Sequence, residues 1–303
     1  MNTLEKNVDE KYDGYKIREF LKEEMELSSR LIRKSALEKR ILVNEKPVKM
    51  NFKIKKDDNI KVVLDRKETQ DIAPEEIDIE VVYEDGNLLV LNKKPFMVVH
   101  PTKSYQSGTL ANGVMNHFKI TGQDCIVRLA NRLDMNTSGL VIVAKNQFAH
   151  MALSNSMQRD EVTKKYLAVV HGHLENESGT VDAPIYRVPK EDKEGYEIKR
   201  VIDEKGQRSV THYKVVERLK DADLVECTLE TGRTHQIRVH MAHLGHSIFG
   251  DFLYGYGDDE KDLIERQALH AYSLSFEEPK DKKMLELKAE LPEDIIELID
   301  KLK

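Results

Sequence analysis

The sequence predicts a chain in two parts that mixes helices and strands: a small basic module, then a larger domain rich in strands. Three observations predict it. At 303 residues the chain exceeds the usual size of a single domain. Its charge is polarised: residues 14–66 hold 15 Lys and Arg against 9 Asp and Glu, a net of +6, which leaves −12 for the remainder against a total of −6. Apolar spacing also changes along the chain, from near the helical period in residues 17–37 to the alternation or continuous runs of strands after residue 80. Hydrophobic residues at 40% and charged residues at 34% exclude a disordered or fibrous chain, and a soluble globular protein is expected.

Residues 1–13 are polar and are set apart as an N-terminal extension, without the apolar stretch of a signal peptide. Secretion is not expected, and no apolar run approaches the roughly 20 residues of a membrane span. In residues 14–66, Ile17, Phe20, Leu21 and Met25, then Leu31, Ile32, Ala36 and Leu37, predict two short helices. Ser28 is the expected N-cap of the second, which puts Arg30, Arg33 and Lys34 on its first turns. A short strand over 41–44 and a turn over 45–48 follow. This pattern resembles the S4 RNA-binding domain, although that family usually has Gly where Lys39 or Arg40 and Glu45 stand here. The resemblance implies RNA binding by Arg30, Arg33 and Lys34, and phosphate contacts of this kind would tether RNA without reading its sequence. The boundary falls in the stretch Lys67 to Glu76, where periodicity stops at a Pro and a charge run, and the linker is drawn over 67–77.

The domain over 78–303 opens with a turn at Asp85-Gly86, a buried-strand run, a break at Lys94-Pro95 and a further apolar strand. Then comes RLANRLDMNTSGLVIVAKN, Arg128 to Asn146: a polar loop leading into a core strand, an arrangement that holds side chains on the scaffold yet open to a cleft. NRLDMNTSG resembles the HRLDxxTSG signature of the RluA-type RNA pseudouridine synthases. Three more segments carry the resemblance: TKKYLAVVHG (Thr163 to Gly172), ETGRTHQIRVHMAHLGHSIFGDFLYG (Glu230 to Gly255) and LHAYSLSF (Leu269 to Phe276). It extends over Val81 to Phe276 and is weakest over Val181 to Gln207.

The resemblance implies an α+β fold with a mixed, mostly antiparallel sheet. It assigns catalysis to Asp134, Tyr166 and Arg238, and substrate contacts to Arg132, Leu133, Thr137 and Ile237. Asn131 replaces the commoner His, which leaves the subfamily open. Isomerising uridine to pseudouridine breaks the bond from ribose C1′ to uracil N1, turns the trapped base and joins C5 to C1′. No redox change or external group is involved, so no cofactor is expected. An ionised carboxylate can attack the sugar or abstract a sugar proton, and both roles stay open for Asp134. An adjacent guanidinium would favour the ionised form, and Arg238 would supply it. Tyr166 would stack on the detached uracil. The target nucleotide must leave its stack, which is easiest in loops of folded RNA.

Ribosomal RNA of the large subunit is the expected substrate, with transfer RNA second, and a monomeric cytoplasmic enzyme is expected. A non-catalytic RNA-binding or assembly factor is one rival. A metal site is another, because His235, His240, His243 and His246 crowd one stretch; no Cys or carboxylate completes a familiar ligand set there, so no metal is expected. Cys125 and Cys227 show no paired spacing and read as reduced packing residues.

Overall fold

The structure, a computed structural model, describes residues 3–64, 70–188 and 199–303; the start of the expected linker, 67–69, and the middle of the weakly matching stretch, 189–198, lie outside them. The N-terminal module is built from β1 (Thr3–Asn7), a 3-10 turn (Glu10–Tyr12), α1 (Ile17–Glu23), α2 (Ser29–Leu37), β2 (Ile41–Val43), β3 (Lys46–Pro47) and β4 (Asn59–Val63). The Ser28 hydroxyl accepts the Leu31 N–H at 3.2 Å, as its capping role requires. Ile17, Phe20 and Leu21 of α1 and Leu31 and Ile32 of α2 pack on Ile41, Ile60 and Val62 of the sheet, whose order is β1-β4-β2-β3.

Three features differ from expectation here. Within the stretch set apart as an extension, β1 pairs antiparallel with β4, and Leu4, Val8 and Tyr12 join the core; apolar residues four apart in a polar stretch hid this strand. The hairpin turn is Asn44-Glu45, with φ of 49° and 65°, so Lys46–Pro47 is already strand. Lys39 and Glu45 both adopt left-handed backbone without being Gly. Finally, the module is docked as well as tethered, because Phe148 and Met151 pack into its core.

The larger domain contains β5 (Glu80–Glu84), β6 (Leu88–Lys93), α3 (Leu110–Ile120), β7 (Ser138–Ala144), α4 (Gln147–Gln158), β8 (Thr163–His171), β9 (Ser178–Asp182), β10 (Ile185–Arg187), β11 (Arg200–Ile202), β12 (Val210–Leu219), β13 (Ala222–Leu229), α5 (Gln236–His243), β14 (Leu269–Glu277), β15 (Met284–Lys288) and α6 (Glu293–Lys301). Eight strands run in the order β5-β6-β7-β14-β8-β13-β12-β9, with β15 added to β14. Among the described residues only the β7–β14 pair of this sheet is parallel, so the sheet is mixed and mostly antiparallel. Alternate residues of β6 and β7 serve two cores: Leu89, Leu91, Val141 and Val143 pack with α3 and α6, and Leu88, Val90, Leu140 and Ile142 with α4. That two-sided burial explains the continuous apolar runs in the sequence.

The apolar segment after Lys94-Pro95 is not a strand. The carbonyls of Val98 and Val99 accept from Leu110 and Ala111 instead, which caps the start of α3. Gly139 follows the polar loop at φ +114° with the Ala271 backbone where a Cβ would sit, so only Gly lets β7 and β14 meet there.

Candidate active site

Three elements deliver side chains to one place. The loop before β7 brings Asp134, with Thr137 N donating to its carbonyl at 3.1 Å; β8 brings Tyr166; the first turn of α5 brings Ile237 and Arg238. Arg238 Nη1 donates to Asp134 Oδ2 at 3.3 Å. The Asp134 side chain is 27% exposed and that of Arg238 only 6%, so the carboxylate meets solvent on one side and a buried guanidinium on the other. A pocket of about 60 Å³ is lined by Arg132, Leu133, Asp134 and Thr137 from the loop, and by Tyr166, Ile237 and Arg238 from the other two elements. All seven residues expected around the substrate therefore converge. Arg30, Arg33 and Lys34 lie apart on α2, the two arginines exposed and the lysine half-buried.

The pocket opens into a cleft of about 1060 Å³ that shares Arg132, Leu133, Asp134, Tyr166 and Arg233 and adds His100, Lys164, Arg208, Asp160 and Glu230 to its walls. Arg208 is paired with Glu230 at 3.0 Å, and Arg132, Lys164 and Arg233 are the further cations of the lining. Burial pushes the Tyr166 hydroxyl pKa well above its ordinary range, so the phenol is neutral at physiological pH.

Several supporting residues were missed in the sequence. Asp251, fully buried, accepts from Arg238 Nε at 2.7 Å and Nη2 at 2.8 Å, and also from the N–H groups of Leu253 and Tyr254. His235 stands at the start of α5 with φ 60°, its Nε2 3.8 Å from Asp134 Oδ2. Burial pulls its pKa down to about 4, so the ring is neutral. The Tyr254 hydroxyl accepts from Arg200 N at 2.8 Å and is hydrogen-bonded to His235 Nδ1 at 2.9 Å, which fixes the orientation of the imidazole beside Asp134.

The Asp134 loop is also held from beneath. Lys93, 1% exposed, donates through Nζ to the carbonyls of Lys94, Met97 and Met135 at 2.8–3.0 Å. Burial and the Arg266 charge push its pKa down to about 7, and the Asp134 charge opposes them. Arg266 donates to Asn136 O at 3.1 Å while paired with Asp294 at 2.6 and 2.8 Å. Asn131 lines the wider cleft but not the pocket: its Oδ1 accepts from Ile142 N and its Nδ2 donates to Leu140 O, so it secures the loop to β7. His240, a member of the histidine cluster, uses both ring nitrogens on Thr211 and Ala183. Among the described residues no three His, Cys, Asp or Glu side chains are grouped to hold a metal, and no helix is long and apolar enough to cross a membrane.

Sheet and pocket together define the class. Residues 87–243 match the family described as RNA pseudouridylate synthase, and residues 4–60 match the RluD ribosomal pseudouridine synthase N-terminal domain. The chain belongs to the RNA pseudouridine synthase family. It is 40% identical over its whole length to 99% of the Uncharacterized RNA pseudouridine synthase YlyB of Bacillus subtilis (strain 168). It is 39% identical to Ribosomal large subunit pseudouridine synthase D of Zymomonas mobilis subsp. mobilis, over 80% of this chain and 79% of that protein. Among solved structures, Human RNA Pseudouridylate Synthase Domain Containing 1 is similar with a TM-score of 0.58 and 29% identity, over 70% of this chain and 83% of that one.

Proposed function

We propose that this RNA pseudouridine synthase modifies uridines of large-subunit ribosomal RNA, with Asp134 as its catalytic carboxylate. The observation that carries the assignment of Asp134 is the 3.3 Å contact with Arg238 at the mouth of a pocket floored by Tyr166. A carboxylate that must act on ribose C1′ or its neighbouring proton needs a fixed position and a countercharge that does not titrate, and Arg238, clamped by Asp251, supplies both. Neutral His235 places its Nε2 3.8 Å from the same oxygen without cancelling its charge.

The reaction then needs the freed uracil to stay and turn. Tyr166 and Ile237 form apolar walls for its ring, and Leu133 and Thr137 narrow the pocket. When C5 has bonded to C1′, its proton leaves and N1 takes one up, so atoms balance without a cofactor. Arg132, exposed at the rim, is suited to the phosphate of the extruded nucleotide, and Arg30, Arg33 and Lys34 to more distant phosphates. Ribosomal RNA is supported by relatives named for the large ribosomal subunit at 34–39% identity.

The test uses ribosomal RNA from cells lacking this protein, with tritium at uracil C5, because forming pseudouridine releases that tritium. Wild-type protein is expected to release it and Asp134→Ala to release none while still binding the RNA. Release by the Ala variant would overturn the role of Asp134. Release from transfer RNA alone would overturn the choice of substrate.

A further inference from the structure

We propose that Phe96, with Met135 beside the catalytic loop, is a stacking platform for the unpaired base next to the extruded uridine. Phe96 has φ +58°, a left-handed conformation that a bulky side chain adopts only under constraint, and its ring is 54% exposed. An aromatic ring kept in a strained turn yet left in water gains little for the free fold. Met135, next after Asp134, is also an exposed large apolar residue, at 38%.

The two are joined through the main chain. Met97 N donates to Met135 O at 3.1 Å, and Lys93 Nζ donates to both the Met97 and the Met135 carbonyl. One buried lysine side chain thus holds the Phe96 turn and the Asp134 loop in fixed relation. Both stand beside stretches that line the cleft without lining it themselves: Met135 directly follows the lining residues 129–134, and Phe96 lies two residues before the lining residues 98–102.

The occupant follows from charge and position. The cleft walls present Arg132, Lys164 and Arg233 beside the Arg208–Glu230 pair and the carboxylates of Asp134 and Asp160, and the three further cations suit a phosphate backbone. An apolar ring next to such a cleft suits what lies between phosphates, namely the face of a base. Extruding a uridine leaves a neighbouring base without its partner in the stack, and Phe96 would cover it. The inference rests on the functional reading above, in which Asp134 acts on that uridine.

The test compares wild type, Phe96→Gly, Phe96→Tyr and Asp134→Ala by tritium release from the same C5-labelled ribosomal RNA, with melting temperature alongside. Gly relaxes the strained turn, so Phe96→Gly is expected to melt no earlier than wild type. Its KM is expected to rise about tenfold, the size of one lost base–aromatic stack, with kcat within about twofold. Phe96→Tyr is expected to restore KM. Unchanged KM in Phe96→Gly, failure of Tyr to restore it, or earlier melting of the Gly variant would each overturn the platform while leaving the role of Asp134 intact. Absence of release by wild type, in contrast, would bring down the functional reading and the platform with it.

Discussion

Arg238 is bound to Asp251 by two hydrogen bonds of 2.7 and 2.8 Å, shorter than the 3.3 Å bond it extends to Asp134. The guanidinium is thus oriented by a carboxylate that never meets solvent, and only its remaining nitrogen is offered to the pocket. A lysine lacks the planar fork, so it cannot hold Asp251 through two parallel bonds while a further nitrogen reaches Asp134.

Arg238→Lys is therefore expected to lower kcat by about 100-fold, the usual size for one lost electrostatic contact to a reacting centre, with RNA affinity retained. Asp251→Asn is expected to lower kcat as well and to destabilise the fold, since removing one member of a buried ion pair costs about 3–5 kcal/mol. Tritium release and urea unfolding check these outcomes. An Asp251→Asn variant with unchanged kcat would show that Asp134 alone orients Arg238.

The Asp134 loop, Tyr166 and Arg238 were legible because they fall in short contiguous motifs whose residue types suit the chemistry. Asp251 also lay within a recognised segment, yet its pairing with Arg238 across 13 residues arises only when the chain after α5 folds back. Lys93 gave no signal at all, because a lysine ending a strand ordinarily faces water, and only the meeting of residues 94–97 with the Asp134 loop surrounds it with carbonyls. The apolar run 96–100 misled for a related reason: its backbone bonds go to α3, a partner that alternation in sequence does not reveal. In the N-terminal module, helix period and Ser28 located both helices, whereas β1 is short and polar enough to pass for a tail.

Acid should destabilise the fold through histidines before it affects carboxylates. Burial lowers the pKa values of His235 and His270 from 6.5 to about 4. Both are neutral when folded, so between about 4 and 6.5 the unfolded chain binds more protons and stability rises with pH. That stability is complete above 6.5 and is lost as pH falls toward 4, by at most about 1.4 kcal/mol per pH unit for each imidazole. Glu84, held at about 2 by its hydrogen bonds from Gln123, Lys145 and His117 despite burial, contributes its full stability above about 4.5 and loses it only as pH falls from there toward 2. Urea midpoints are expected to fall between pH 6.5 and 5, and the double variant His235→Gln, His270→Gln to flatten that slope. A slope unchanged in the double variant would assign the effect to other groups.

The N-terminal module should act on affinity and leave the chemical step alone. Its Arg30 and Arg33 are exposed on α2, whereas Phe148 and Met151 of the larger domain are covered by its core. Deleting the module would therefore uncover apolar surface and confuse folding with binding, so substitution is the cleaner probe. Arg30→Ala, Arg33→Ala and Lys34→Ala together are expected to weaken binding to the ribosomal RNA and to leave kcat unchanged at saturation. Each lost phosphate contact should reduce the slope of log affinity against log salt by about 1. Filter binding at several salt concentrations measures that slope, and a triple variant with the wild-type slope would remove α2 from the RNA contact surface.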